Sequence, residues 1–232
     1  MTSPERCRWR VAVSGDDITV VWEPATTPAR RAVFVCAHSA GGHMGDRGML
    51  ASSAVFRSCA LDVVRFNFLY REKGSGRPDP MPRLLDCLAA VVSRVRDELR
   101  PDILIIGGRS MGGRAASVLA AGGFPCEGLL LLAYPLHPAG QPEKLRDAHL
   151  LSITAPVLCV NGTRDALCRR DLMDGVVARL GSNWTMHWLE GADHSFHVLK
   201  SSGTTDAAVL LEVGEVASTW LSGVETRRQG RV

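Results

Sequence analysis

Apolar and polar positions follow two rhythms along this chain, and the change comes near residue 30. From Trp9 to Trp22 they alternate on either side of Ser14-Gly15-Asp16-Asp17, the pattern of an antiparallel hairpin with one face on a core. Short continuous apolar runs follow at 32–37, 61–66, 103–106, 129–133 and 157–160, rich in branched residues as strands covered on both faces should be. Between them the period lengthens to that of a helix. Leu84, Leu88, Val91, Val95 and Leu99 share one face, as do Leu172, Val176 and Leu180 ahead of Gly181, and then Val209, Val213, Val216 and Trp220. Parallel strands need crossover connections, so the alternation predicts an α/β three-layer sandwich: a mostly parallel central sheet with helices on both faces. No repeat or Pro/Gly linker divides the chain, which reads as a single domain over 1–222 followed by a polar tail, 223–232.

Composition narrows the partners. Of the 232 residues 46% are apolar and 22% charged, enough for a substantial core. The net charge of +3 is spread as isolated pairs such as Arg30-Arg31 and Arg227-Arg228, which excludes a basic face for nucleic acid. The first residues have no apolar leader core and the apolar runs fall short of a membrane span, so a soluble cytoplasmic protein acting on a small molecule is expected. The pattern specifies no oligomeric state. Seven cysteines form no CxxC pair, and Cys36 and Cys159 sit in strand-like runs, as reduced thiols do.

The chemistry concentrates where 103–106 gives way to Gly107-Gly108-Arg109-Ser110-Met111-Gly112-Gly113. A serine between glycines, after a buried strand and before a helix, is the G-x-S-x-G elbow: small residues let strand and helix approach while the hydroxyl stands out for attack. Serine is a poor nucleophile without a base, and in this arrangement an acid and then a histidine follow in the chain. Asp165 follows the strand at 157–160 and its turn, although an aspartate there also suits a helix N-cap. His194 lies in a loop after strand-like 184–189, with His197 three residues on and His187 within the strand as rivals. Oxyanion donors belong to the loop after the first parallel strand, Ala37-His38-Ser39-Ala40-Gly41-Gly42-His43, making the backbone N–H groups of Ala40 and Met111 the candidates. The His38/His43 and His194/His197 pairs lack the spacing of a metal site, and the glycine loop lacks the lysine of a phosphate cradle, so neither metal nor cofactor is expected. Phe68-Leu69-Tyr70-Arg71 is a candidate pocket wall, with Tyr70 facing substrate. Arg109 either forms a buried ion pair that supports the elbow or recognises an anionic substrate.

Gly107–Gly112 with Arg114-Ala115-Ala116, Tyr134-Pro135-Leu136-His137, Lys144-Leu145-Arg146-Asp147 and Ala192-Asp193-His194-Ser195 together resemble the dienelactone-hydrolase-related α/β-hydrolases, nearest the branch of testis-expressed protein thirty and its bacterial relatives. The resemblance covers roughly 30–222 and implies a single-domain hydrolase without a large lid, with its Ser, Asp and His carried by Ser110, Asp165 and His194. At Ser39 relatives usually have glycine. The expected activity is hydrolysis of a small ester or thioester through an acyl-enzyme. Alternatives are a serine peptidase or acyltransferase, or a non-catalytic interaction module, since some relatives belong to chromatin complexes.

Overall fold

The computed structural model describes residues 7–27 and 30–229. The alternating N-terminal segment folds as β1 (Cys7–Val13) and β2 (Asp16–Glu23), paired antiparallel through Val13 and Asp16. The two residues between them, Ser14 and Gly15, both have positive φ (51° and 86°), the backbone that a two-residue hairpin requires to match the strand twist. The apolar runs become β3 (Ala32–Ala37), β4 (Leu61–Phe66), β5 (Ile103–Arg109), β6 (Gly128–Leu132) and β7 (Val157–Gly162), with β8 (Trp184–Leu189) at the far edge. Their order in the sheet is β1-β2-β4-β3-β5-β6-β7-β8; β2 joins β4 antiparallel, and every later pairing is parallel.

Helices cover both faces: α1 (Arg47–Ser58), α2 (Leu69–Glu72), α3 (Met81–Leu99), α4 (Met111–Ala121), α5 (Arg170–Val177) and α6 (Asp206–Gln229). One face buries Leu84, Leu88, Val91 and Val95 of α3 and Met173 and Val176 of α5 against Val35, Ile106, Leu131 and Cys159. The other buries Phe56 of α1 and Val209, Val213 and Leu221 of α6 against Phe34, Ile105, Leu130 and Leu158. Each such side chain contributes about 1.5–3 kcal/mol on burial, which fixes the layers independently of helix propensity. Only a 3₁₀ turn, Leu150–Ser152, interrupts the connection between β6 and β7, so no large cap domain covers the sheet.

Two boundaries differ from the sequence expectation. α5 stops at Val177 because the chain tightens there, with Arg179 N–H donating to Val176 O and Leu180 N–H to Val177 O. The polar tail from Gly223 is not a tail as far as Gln229: it continues α6, with Val224 buried one turn after Leu221 and Glu225 paired to Arg30 at 3.3 Å. α6 has the length and hydropathy of a membrane span, yet it lies on the sheet through Val209, Val213, Ala217 and Leu221 and carries Glu212 and Glu215.

Candidate active site

Parallel strands all end on the same edge of a sheet, and open α/β sheets bind ligands there. In this protein Ser110 follows β5, Asp165 lies three residues past β7, and His194 lies five past β8.

At the elbow, Ser110 has φ 51° and ψ −113°, a conformation that costs a non-glycine residue of order 1–3 kcal/mol and persists only when its surroundings enforce it. They do so by close approach. A Cβ on Gly108 or Gly112 would overlap the backbone of Ala37 at the end of β3, and one on Gly113 would lie 2.7 Å from the Gly108 carbonyl. Ser110 N–H donates to Leu132 O at 2.8 Å, and its carbonyl accepts from Arg114 N–H at 3.0 Å, tying the turn to β6 and α4.

His194 is held by a compact turn. The Asp193 carboxylate accepts from Ser195 N–H at 2.7 Å and His197 N–H at 3.0 Å, while the Ala192 carbonyl accepts from Arg164 N–H at 2.9 Å. This docks the turn onto the end of β7, so closely that a Cβ on Gly162 would overlap the Ala192 carbonyl. His194 Nε2 then lies 2.9 Å from Ser110 Oγ, and Nδ1 lies 2.9 and 2.8 Å from the two oxygens of Asp165.

Asp165 is buried and also accepts from Leu167 N–H at 2.8 Å and from the Asn161 amide at 3.2 Å. It is not the N-cap of α5, which is Arg169. The rival histidines are engaged elsewhere: His187 with Glu212 at 2.7 Å and His197 with Asp206 at 3.0 Å. A second serine–histidine contact, Ser117 Oγ to His149 Nε2 at 2.8 Å, is fully buried at the serine. The Ser117 hydroxyl already donates to Arg114 O, so the imidazole is the donor there and cannot act as its base.

Met111 opens α4, so its N–H has no intrahelical acceptor, and among the described residues the Ala40 N–H has no hydrogen-bond partner. The loop carrying Ala40 is braced from behind. His38 is fully buried, with Nδ1 2.8 Å from Ser39 O and Nε2 accepting from Phe68 N–H at 3.1 Å. Desolvation lowers its pKa to about 4, so the imidazole is neutral with its proton on Nδ1. Ser39, where relatives usually have glycine, has no positive φ that would demand one.

Two sequence assignments change here. Tyr70 does not face substrate: it is buried, and its hydroxyl donates to Ala40 O at 2.7 Å, with burial pushing the phenol up to about 12 so that it stays a donor. Arg109 forms no ion pair among the described residues; its guanidinium lies 4.5 Å from the Phe196 ring and donates to His194 O at 3.0 Å. The sequence reading singled out neither Asn161, which bridges Asp165 to both backbone polar groups of Tyr134 within 3.0–3.2 Å, nor the buried Arg65–Glu23 pair at 2.7 Å. Arg65 also reaches Met44 O in the loop after β3. A polar residue inside a buried strand was the available signal at Asn161 and Arg65.

A cavity of about 590 Å³ is lined by Ser39, Met49, Arg109, Phe196 and Leu210 among others, and Ser110, Asp165 and His194 are not in its lining. Another, of about 320 Å³, is bordered by Pro156 and Asn183 before the N-terminal ends of β7 and β8, away from the chemistry.

Among solved structures, the fold is similar to an alpha-beta serine hydrolase homologue from Coxiella burnetii, with TM-score 0.73 and 19% identity over 94% of this chain and 98% of that one. It is also similar to a serine hydrolase without lid from Xanthomonas campestris (TM-score 0.75, 19% identity, 95% of this chain and 97% of that one). A dienelactone hydrolase from Anabaena variabilis gives TM-score 0.72 at 17% identity, over 95% of this chain and 98% of that one. At these identities the likeness is one of fold. The alpha/beta hydrolase domain model matches residues 30–222, and with the sheet, elbow and lidless edge already described, the chain belongs to the alpha/beta hydrolase family.

Proposed function

We propose that this chain is a serine esterase or thioesterase of small substrates, working by acyl transfer to serine and then to water. The observation that carries the reading is the unbroken relay from Ser110 Oγ to His194 Nε2 (2.9 Å) and from Nδ1 to Asp165 (2.8 Å). With Asp165 accepting from Nδ1–H, Nε2 is left as a base, and takes the Ser110 proton as Oγ attacks the carbonyl. The oxyanion falls to the N–H groups of Ala40 and Met111. The imidazolium returns its proton to the departing oxygen or sulfur, and a water repeats the sequence on the acyl-enzyme, releasing acid and free Ser110.

The lidless edge favours short acyl groups over long buried chains. The motif residues at 107–116, 134–137, 144–147 and 192–195 support our reading of the chain as one of the dienelactone-hydrolase-related group, near the testis-expressed protein thirty branch. Buried thiols at Cys36, Cys87, Cys159 and Cys168 suit a reducing compartment such as the cytoplasm.

A fluorophosphonate probe should label the purified protein at Ser110. Ser110→Ala should abolish labelling and reduce hydrolysis of a p-nitrophenyl ester by about 10⁴-fold or more with unchanged far-UV circular dichroism, because the triad acts as a unit. Hydrolysis retained by that variant refutes the assignment.

A further inference from the structure

Side chains alternate along a strand, so Arg109 at the end of β5 lies on the same face as Ile103 and Ile105, the face that α1 and α6 cover. Phe196, in the turn after β8, packs into that same layer. The Arg109 guanidinium lies 4.5 Å from the Phe196 ring and its Nη2–H donates to His194 O at 3.0 Å. A single side chain therefore joins the residue before Ser110 to the backbone of His194, although β6 and β7 stand between β5 and β8 in the sheet. The other ties of the turn hold its flanks: Asp193 accepts from Ser195 and His197, and Ala192 accepts from Arg164. His194 differs. Among the described residues the bond from Arg109 is the one hydrogen bond made by its backbone. Holding that carbonyl fixes the peptide plane after His194, which restricts its ψ and the direction in which its ring leaves the chain.

Arg109 also carries a charge that mere space-filling would not require. Burial works against the cation and lowers its pKa, and among the described residues no carboxylate lies within ion-pair distance. The Phe196 ring offsets part of that penalty. A methionine of similar length would fill the space against the ring without the penalty, but it has no N–H to hold the carbonyl. A planar fork stacked at its face and bonded at its edge is oriented by both contacts at once.

We infer that Arg109 is a positioning residue for the base: its guanidinium, anchored on the Phe196 ring, holds the His194 carbonyl so that Nε2 stays within hydrogen-bond reach of Ser110 Oγ. The inference rests on the serine esterase reading and goes beyond it, since Arg109 acts through His194 and is not itself a reacting group.

Steady-state hydrolysis of p-nitrophenyl acetate by the wild type, Arg109→Met, Arg109→Lys and Arg109→Ala tests it, each variant first checked for folding by far-UV circular dichroism. Arg109→Met should lower kcat by about 10- to 100-fold, the effect of displacing a catalytic group by up to about 1 Å, and leave KM within about twofold of wild type. Arg109→Lys, which keeps the charge and a donor, should recover part of the loss. Arg109 lines the 590 Å³ cavity, so truncation to alanine opens a space that dissolved guanidinium can enter. Guanidinium at millimolar concentration should raise the kcat of Arg109→Ala several-fold and leave the wild type unchanged, with sodium chloride as the control. If Arg109→Met does not fold, the lysine variant and the guanidinium response of Arg109→Ala decide the matter. An Arg109→Met enzyme with wild-type kcat overturns this inference alone, as does a loss confined to KM. A loss of kcat that neither lysine nor guanidinium repairs overturns it too, because the arginine would then matter only for packing. A wild type that hydrolyses no ester and takes no fluorophosphonate label refutes the esterase reading and the inference with it.

Discussion

Acidification should destabilise this protein through His38, a residue outside the Ser110–His194–Asp165 relay. Its imidazole is fully buried behind the loop that carries Ala40, and burial holds its pKa at about 4 against the ordinary 6.5. In the unfolded chain the ring titrates near 6.5, so between 6.5 and 4 the unfolded state binds a proton that the folded state refuses, and stability falls as pH falls. The loss begins near the unfolded value and is complete once the pH is below the folded one. A gap of roughly 2.5 at 1.36 kcal/mol per pKa unit makes about 3 kcal/mol over the whole window, of which about 2 kcal/mol is lost by pH 5. The measurement is urea unfolding of wild type and His38→Asn at pH 7.5 and pH 5. Asparagine keeps a donor for Ser39 O where Nδ1 was but ends short of the Nε2 position, leaving Phe68 N–H without its acceptor, so the variant should be less stable by about 1–3 kcal/mol at pH 7.5. It lacks the titrating ring, so the difference should narrow by about 2 kcal/mol at pH 5, with every other group cancelling. Parallel stability curves for the two proteins would refute the argument.

Three further outcomes follow from the geometry. His194→Ala should match Ser110→Ala in lost esterase turnover, while His197→Ala, whose ring faces Asp206, should cost far less; the reverse ranking would show that the base is misassigned. Gly162→Ala should push the Ala192 carbonyl, and with it His194, off the Ser110 oxygen, lowering kcat by about 10²-fold on a displacement of about 1 Å; unchanged steady-state kinetics would contradict it. Glu23→Leu should strand the Arg65 cation and cost about 3–5 kcal/mol in urea unfolding, and adding Arg65→Met should recover much of that loss, whereas additive penalties would argue against a coupled pair.

The layered architecture was legible because it is written locally. Runs such as 103–106 have no period that exposes one face, and the α3 stripe repeats every three or four residues, so each segment declares its element without knowledge of its neighbours. Ser110, Asp165 and His194 could be named together for a related reason: each lies just past a strand, and parallel strands end on one edge. What escaped depends on partners distant in sequence. Tyr70 looked like a pocket wall because nothing near it in the chain reveals that its hydroxyl meets a carbonyl thirty residues away. For Arg109 the sequence leaves an ion pair and an anionic substrate both open; of the ion pair there is none among the described residues, an aromatic ring and a carbonyl standing there instead. Residues 223–229 read as a tail from their polarity, yet Val224, one turn beyond Leu221, carries the helix on into the core.

The position of β8 has a consequence for how activity and stability are related. It is the edge strand, bonded to β7 alone and with Met186, His187 and Trp188 only half-buried, whereas β5 and its elbow sit between β3 and β6. His194, the proposed base, is therefore carried by the periphery of the molecule and Ser110, the proposed nucleophile, by its centre. Openings that free an edge strand and its following turn need less free energy than global unfolding. Such a fluctuation would carry His194 away from a Ser110 still clamped in its elbow, a folded molecule with no base. The contacts that oppose it include the β7–β8 ladder, the buried side chains of Ala192 and Phe196, Arg164 and Gly162 against Ala192, Thr163 against Gly191, and Arg109 on the His194 carbonyl. If Ser110 and His194 act as proposed, the persistence of activity would depend on that docked turn staying closed as well as on the sheet staying folded.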